Sequence, residues 1–582
     1  MDRLFKRSNY AKITYLNKMW DFAIDPENKG ISERWFSSFP NNSRRMIVPS
    51  CWNTEIDLFR YRGSAWYKTT FETASSNIYI NFDAVQNEAD VYLDGVHLGN
   101  HYGGFLSFGF EVNGIALGEH TLIVRVNNEL NTTDTLPGSL LDWYNYGGIA
   151  RCVYVRELSE SWIKNYRISY VLENGLSDAR LSIMATVKTF NKKNDRFEVY
   201  VNDEKVYSST LSVNGDENVN CEIPLPNVKL WGIYQPNLYN IRLKYADDDI
   251  IERIGFREIK TVGNKILLNG EKIKLLGINR HEEHPDFGFS IPFNLIKKDI
   301  DIAKDMNCNA IRTSHYPNSK KTADYCDEIG MLFWSEVPMW NISLDATVNP
   351  TTVKRALSME SEMINENYHH PSIIFWSMHN ECSTDTDEVY KLTEKMVRLA
   401  KSLDTSRLIT FATNKTKLDV RRERCLALAD VLSINHYIGW YFPVENGDWH
   451  AFMEKYQEVL EKCDSADKPF VMTEFGFGAI PGCNSFDYNR WSEDYQADAL
   501  EFTLNQLLNN DKISGGYIWQ FADIRSEQGD IGRPRGFNNK GILDEYRRPK
   551  RAYRVVRKIY GEHLGVSFPH YKTTLFGYKF KK

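Results

Sequence analysis

Two glutamates stand where acid–base chemistry is possible. Glu381 closes the run Trp376-Ser-Met-His-Asn-Glu381, and Glu474 closes Val471-Met-Thr-Glu474 ahead of Phe475-Gly476. Each follows a short apolar stretch of the kind that forms a buried strand. Such a pair can cleave a glycosidic bond. One carboxyl protonates the departing oxygen while the other attacks the anomeric carbon or activates water. Asn380, just before Glu381, suits a donor to a sugar 2-hydroxyl, a contact that strengthens in the transition state. Tyr437 suits a hydrogen bond that orients Glu474. Singly, each glutamate reads equally well as a solvated loop residue. The weight lies in Asn-Glu after one strand combined with Glu ending another. In a retaining pair the carboxyl groups lie about 5–5.5 Å apart. Glu381 should then carry the raised pKa, with Glu474 ionised.

The elements that would position this pair are legible. From about residue 264, strand-like segments alternate with amphipathic stretches. Eight strands are predicted: Lys274–Ile278, Ala310–Thr313, Met331–Glu336, Ile373–Met378, Arg407–Phe411, Val431–Asn435, Phe470–Glu474 and Gly516–Phe521. Helical spacing of apolar residues predicts helices over Asn294–Lys304, Glu388–Leu403 and Asp494–Leu508. Eight strands alternating with helices over some 300 residues define a (β/α)8 TIM barrel, whose active sites lie at the C-terminal strand ends. Strands four and seven face one another in such a ring, so the two glutamates can converge. The strand ends collect polar residues, including Asn279-Arg-His-Glu282, Arg312-Thr-Ser-His-Tyr316 and Asn435-His-Tyr437. Burying them costs free energy unless they serve a site.

Before residue 260 the chain reads as β. Asn77–Phe82, Asp90–Leu93, Thr121–Val126 and Cys152–Val155 are strand-like, with turn signals at Asp94-Gly95, Asn113-Gly114 and Asn214-Gly215. The pattern predicts two sandwiches. The predicted division is an N-terminal jelly roll over 1–160, an immunoglobulin-like β-sandwich over 161–262, and the barrel over 263–582.

Composition narrows the function classes. The net charge of −6 on 582 residues, with no long basic run, argues against nucleic acid or an anionic membrane surface as partner. No apolar run is long enough to span a bilayer, and the basic first residues lack the apolar segment of a signal peptide. Nine scattered cysteines read as reduced thiols, which points to the cytoplasm.

Together these segments resemble glycoside hydrolase family 2, and within it the β-glucuronidases, over nearly the whole chain. Leu141-Asp-Trp-Tyr-Asn-Tyr-Gly-Gly-Ile149 with Arg151 is similar to the family's sugar-binding jelly roll. Leu230–Tyr239 and Ile254-Gly-Phe-Arg-Glu258 resemble landmarks of its middle domain. Asn279–Glu282, Arg312–Pro317, Asn380-Glu381 and Thr473-Glu474 resemble its barrel signatures. The resemblance implies a double displacement with Glu474 as nucleophile and Glu381 as acid, then base. It implies that Asp142 and His281 contact sugar hydroxyls, and that Tyr437, Tyr441 and Trp519 line the pocket. It also implies a homo-oligomer, tetramer or dimer.

Phe537-Asn-Asn-Lys-Gly541 resembles the Asn-x-Lys motif by which β-glucuronidases hold the sugar carboxylate. Lys540 offers an ammonium and Asn538 an amide donor. Either Arg533 or Arg535 is expected to supply a second cation. The expected substrates are glucuronide conjugates or uronic-acid-terminated saccharides. The connection from Glu336 to Trp376 is too short for the insertion with which some relatives cover small aglycones.

Other signals carry less. His281-Glu-Glu-His284 has the wrong spacing for a zinc helix, so no metal site is predicted, and His284 reads as structural. Arg280, Arg312 and Glu336 are expected to pair below the site. Cys382 reads as packing. No nucleotide motif occurs, and no cofactor is expected for catalysis.

Overall fold

The structure is a computed structural model that describes residues 3–139, 141–415, 424–441, 467–528 and 532–565. Two sheets, of four and six strands, face each other in the first region. Alternation along strands such as Gly118–Asn127 turns one side of each inward. Trp20, Phe22, Tyr67, Ile80, Val124 and Val153 fill the space between.

The second region is built differently from a set of short strands. Asp178–Val201 and Glu204–Leu225 form one long antiparallel hairpin with register shifts, one of them between Thr189 and Lys193. Ser161–Glu173 pairs with the first half of Asp178–Val201, and Tyr239–Tyr245 with the second half. A bulge bends a strand and increases its twist, so one bonded sheet can supply both layers of a sandwich.

The third region is a closed parallel barrel. Its strands are β1 (Leu275–Arg280), β2 (Ala310–Thr313), β3 (Leu332–Glu336), β4 (Ile373–Asn380), β5 (Leu408–Thr413), β6 (Leu432–Asn435), β7 (Phe470–Phe475) and β8 (Ile513–Ile518). Every residue of all eight is buried, as expected where helices cover a parallel sheet. The predicted helices appear as Phe293–Asp305, Asp387–Leu403 and Glu493–Leu508. Among the described residues, no helix is long and apolar enough to cross a membrane.

Side chains bolt the regions together. The Arg257 guanidinium donates to the carbonyls of Pro371, Ser406 and Ile373 on the N-terminal side of the barrel. Trp231 donates its indole N–H to the Asp327 carbonyl at 2.8 Å. From the first sandwich, Tyr146 donates to Glu283 at 2.9 Å and Trp143 packs against Trp340 in the barrel mouth. Asp142 is thereby carried to the strand ends.

Candidate active site

The two glutamates meet at the mouth. Glu381 stands one residue past β4 with φ 53°, a left-handed conformation that costs a non-glycine residue about 1 kcal/mol. Its N–H bonds the Ala412 carbonyl at 2.9 Å, which holds the turn. Its Oε1 accepts from Asn435 Nδ2 at 3.0 Å. The same amide reaches Asn380 Oδ1, and Thr473 Oγ1 fixes the other end of Asn435 at 2.8 Å. Burial, then the charge of Glu474, raises the Glu381 carboxyl from 4.5 to about 8. It therefore holds its proton at neutral pH.

Glu474, at 4 % exposure, is held on both oxygens. Arg312 Nη1 donates to Oε1 at 2.7 Å, and the Tyr437 hydroxyl donates to Oε2 at 2.7 Å. Burial, then the Glu474 charge, pushes the Tyr437 hydroxyl well above its ordinary range, so it stays a donor. Arg312 is itself anchored by Glu336, at 3.0 Å, and by Asn380 Oδ1 at 2.7 Å. Burial opposes the Glu336 charge, but the Arg312 guanidinium outweighs it and brings that carboxyl down to about 2. Two buried nitrogens beside these groups, Asn380 Nδ2 and His281 Nε2, have no protein hydrogen-bond partner among the described residues. A buried polar atom in that state implies a missing partner. Burial, then His315, pushes His281 well below its usual range, so it is neutral.

Lys540 lies at the side of the same cavity, which has a volume of about 320 Å³. The residue is 3 % exposed; its ammonium donates to the Tyr441 hydroxyl at 2.8 Å and stands over the rings of Tyr437, Trp440 and Tyr441. Among the described residues it has no carboxylate partner. Asp142 lines the same cavity, gripped by Arg533 Nε at 2.6 Å, Asn538 Nδ2 at 2.9 Å and Ser526 Oγ at 2.9 Å.

Of the predicted site residues, Asp142, Glu381, Tyr437, Tyr441, Glu474, Trp519, Arg533 and Lys540 line this cavity. His281, Asn380 and Asn538 lie buried behind it. Two of the expected carboxylate-binding side chains are engaged with protein partners. Arg535 turns away, bonded to Glu545, Asp523 and Asn539, because those acceptors satisfy its guanidinium outside the pocket. Asn538 Nδ2 donates one of its two hydrogens to Asp142 at 2.9 Å. Part of the Arg525–Phe537 stretch, residues 529–531, lies outside the described residues.

Sequence reasoning did not single out Trp143, His315, Trp340, Asn414 or Gln528, which also line the cavity, or the role of Asn435. His315 and Asn435 belonged to polar strand ends, a signal that was available. Trp143 and Trp340 look like ordinary core aromatics in the chain. Cys382 is buried and its thiol is pushed up to about 12 by that burial, so no reactive thiolate stands beside Glu381. Asp324, Asp327 and His370 lie close enough together to suit a metal ion. Arg3 already forks onto Asp324, and His370 bonds Asp327 at 2.5 Å. The ordinary reading of that cluster is an ion-pair network.

A barrel carrying opposed glutamates, capped by a sandwich that contributes an aspartate to its mouth, defines a glycoside hydrolase. Three sequence profiles match in chain order: glycosyl hydrolases family 2, sugar binding domain, over residues 13–159; glycosyl hydrolases family 2 over 162–257; and glycosyl hydrolases family 2, TIM barrel domain, over 258–563. The chain belongs to glycosyl hydrolases family 2. The chain is similar to a β-galacturonidase of Eisenbergiella tayi bound to galacturonate, at 34 % identity and a TM-score of 0.88, covering 97 % of this chain and 99 % of that one. It is also similar to a β-glucuronidase of Ruminococcus gnavus in complex with D-glucuronic acid, at 28 % identity and a TM-score of 0.85, covering 96 % and 99 %. A β-glucuronidase of Paenibacillus borealis is 26 % identical over 96 % of this chain and 98 % of that one.

Proposed function

We propose that the protein is a retaining β-glucuronidase that hydrolyses terminal β-D-glucuronides through a covalent glycosyl-enzyme. The observation that carries the substrate class is Lys540: a buried ammonium facing the catalytic cavity with no carboxylate partner among the described residues. Burying a lone cation costs several kcal/mol unless an anion joins it. A uronate carboxylate is that anion, and a neutral hexose is not.

Glu474 attacks the anomeric carbon, positioned by Arg312 and Tyr437. Glu381, protonated at neutral pH, gives its proton to the leaving oxygen. Once the aglycone departs, Glu381 removes a proton from water, which then attacks the same carbon and frees Glu474. The free amide hydrogens of Asn380 fit the sugar 2-hydroxyl. Asp142 fits sugar hydroxyls, its own orientation fixed by Arg533 and Asn538. None of these steps calls on a cofactor.

The relatives named β-glucuronidase support this reading. A second reading is favoured by the Eisenbergiella tayi neighbour, at 34 % identity: a β-galacturonidase, which keeps every role above and inverts only the 4-hydroxyl. Four p-nitrophenyl β-glycosides decide between them: glucuronide, galacturonide, glucoside and galactoside. The proposal expects the highest kcat/KM on the glucuronide, with the β anomer formed first by NMR. Faster turnover of the galacturonide selects the second reading. Faster turnover of either neutral sugar removes both.

A further inference from the structure

Lys540 reaches the catalytic cavity on a flexible stem, so its aim depends on the backbone from which it grows. That backbone is pinned on both sides. The Asn539 carbonyl accepts from Ala479 N at 2.8 Å and from Lys550 Nζ at 3.2 Å. The Lys540 carbonyl accepts from Gln520 N at 3.0 Å, and Gly541 N donates to Asp523 Oδ1 at 2.9 Å. Gly541 passes so near that a Cβ there would stand 2.2 Å from Asp523 N. Lys550 Nζ closes the ring, donating to the same Asp523 oxygen and to the Ala479 carbonyl, each at 2.7 Å.

Arg535 holds the remaining corner. Its Nη2 donates to Asn539 Oδ1 at 2.9 Å and to Asp523 Oδ2 at 3.3 Å, while Nη1 donates to Glu545 at 2.9 Å. With its oxygen held, the Asn539 amide donates to the Pro534 and Phe537 carbonyls, both at 2.7 Å, and folds the chain ahead of Lys540 into a turn. Arg535 itself sits at φ 65°, a left-handed conformation that costs a non-glycine residue about 1 kcal/mol. Such a conformation persists where the surrounding bonds over-determine it. Of Arg535, Asn539, Asp523, Lys550 and Lys540, only Lys540 lines the catalytic cavity.

We propose that Arg535 is a positioning residue for uronate recognition: it does not touch the sugar, and it sets the Lys540 ammonium through Asn539 and Asp523. A charge-assisted hydrogen bond is short and directional, so a loop shift of about 1 Å weakens it severely. The arginine thus contributes to binding of the acid group from outside the pocket. This inference rests on the uronide reading above and adds a residue that governs its selectivity.

The test measures competitive inhibition by two iminosugars of one shape, isofagomine and its analogue with a carboxylate in place of the hydroxymethyl group. Arg535→Ala is expected to weaken the acid analogue by about tenfold and isofagomine by less than about twofold. In a Lys540→Ala background the same substitution should weaken the acid analogue by less than about twofold, because its effect runs through Lys540. Arg535→Lys keeps a cation beside Glu545 and Asp523 but loses the fork onto Asn539, and should show a smaller loss with the same selectivity. It carries the test if the alanine variant does not fold. A purely structural role would weaken both inhibitors alike. That outcome overturns the inference, as does a loss that persists without Lys540, or unchanged binding of the acid analogue in both variants. If Lys540→Ala alone leaves binding of the acid analogue unchanged, the uronide reading itself falls.

Discussion

The proposed chemistry rests on the different surroundings of two carboxyl groups of the same type. Burial and the neighbouring Glu474 charge hold Glu381 at about 8, while Glu474 faces an arginine and a phenol. The high-pH limb of kcat/KM should therefore fall near pH 8, the free-enzyme value of the acid. Glu381→Gln should abolish that limb along with most of the activity on substrates with poor leaving groups. The same shift bears on stability. A carboxyl whose pKa rises from 4.5 to about 8 on folding favours the folded state fully below 4.5. That contribution is lost as pH climbs to 8. The melting temperature of the wild type should decline over this window, and that of Glu381→Gln should decline less. Lys540→Ala should lower kcat/KM on the glucuronide by roughly two orders of magnitude and leave any activity on the neutral glucoside within a few-fold. An equal loss on both sugars would assign Lys540 a structural role.

At the scale of elements, strand ends place the groups and close packing keeps them there. Gly476 follows Glu474 by two residues, and a Cβ there would stand 1.9 Å from the Trp519 carbonyl oxygen. Gly476→Ala should push β7 and Trp519 apart, lower the melting temperature by several degrees and cut kcat/KM about tenfold or more. A variant with unchanged melting and activity would show that the backbone gives way freely. The barrel strands were readable because burial on both faces makes each an apolar run. β8 was placed late, at Gly516–Phe521 instead of Ile513–Ile518. Its first four residues are Ile-Ser-Gly-Gly, and Gly515 abuts the backbone of Leu275, where no side chain fits. Packing removed the apolar signal. The long hairpin of the second region was also missed, because a bulged strand breaks its alternation where it changes layers.

For the whole molecule, three regions act as one site because buried polar bolts fix their relative positions. Arg257→Ala would leave the carbonyls of Pro371, Ser406 and Ile373 without their guanidinium, and should destabilise the chain by about 3–5 kcal/mol. Denaturant unfolding followed by tryptophan fluorescence would register this as a lower midpoint or as separate transitions. In the sequence, Arg257 was visible only as part of a family landmark. Its role depends on carbonyls more than a hundred positions away, and no local pattern encodes that. Glu381 and Glu474 were legible for the opposite reason: each follows or ends a strand whose own composition announces it. The direction of Arg535 was not, because a guanidinium a few residues from a pocket can satisfy itself on either side.

The central claim, that Glu474 forms a covalent bond to a uronosyl ring, is tested most directly by trapping that bond. The enzyme is incubated with 2-deoxy-2-fluoro-β-D-glucuronyl fluoride, digested, and its peptides are weighed by mass spectrometry. One fluorouronosyl adduct on Glu474 is expected, absent from Glu474→Gln. An adduct on another residue, or release of the α anomer from a β-glucuronide without any adduct, would contradict it.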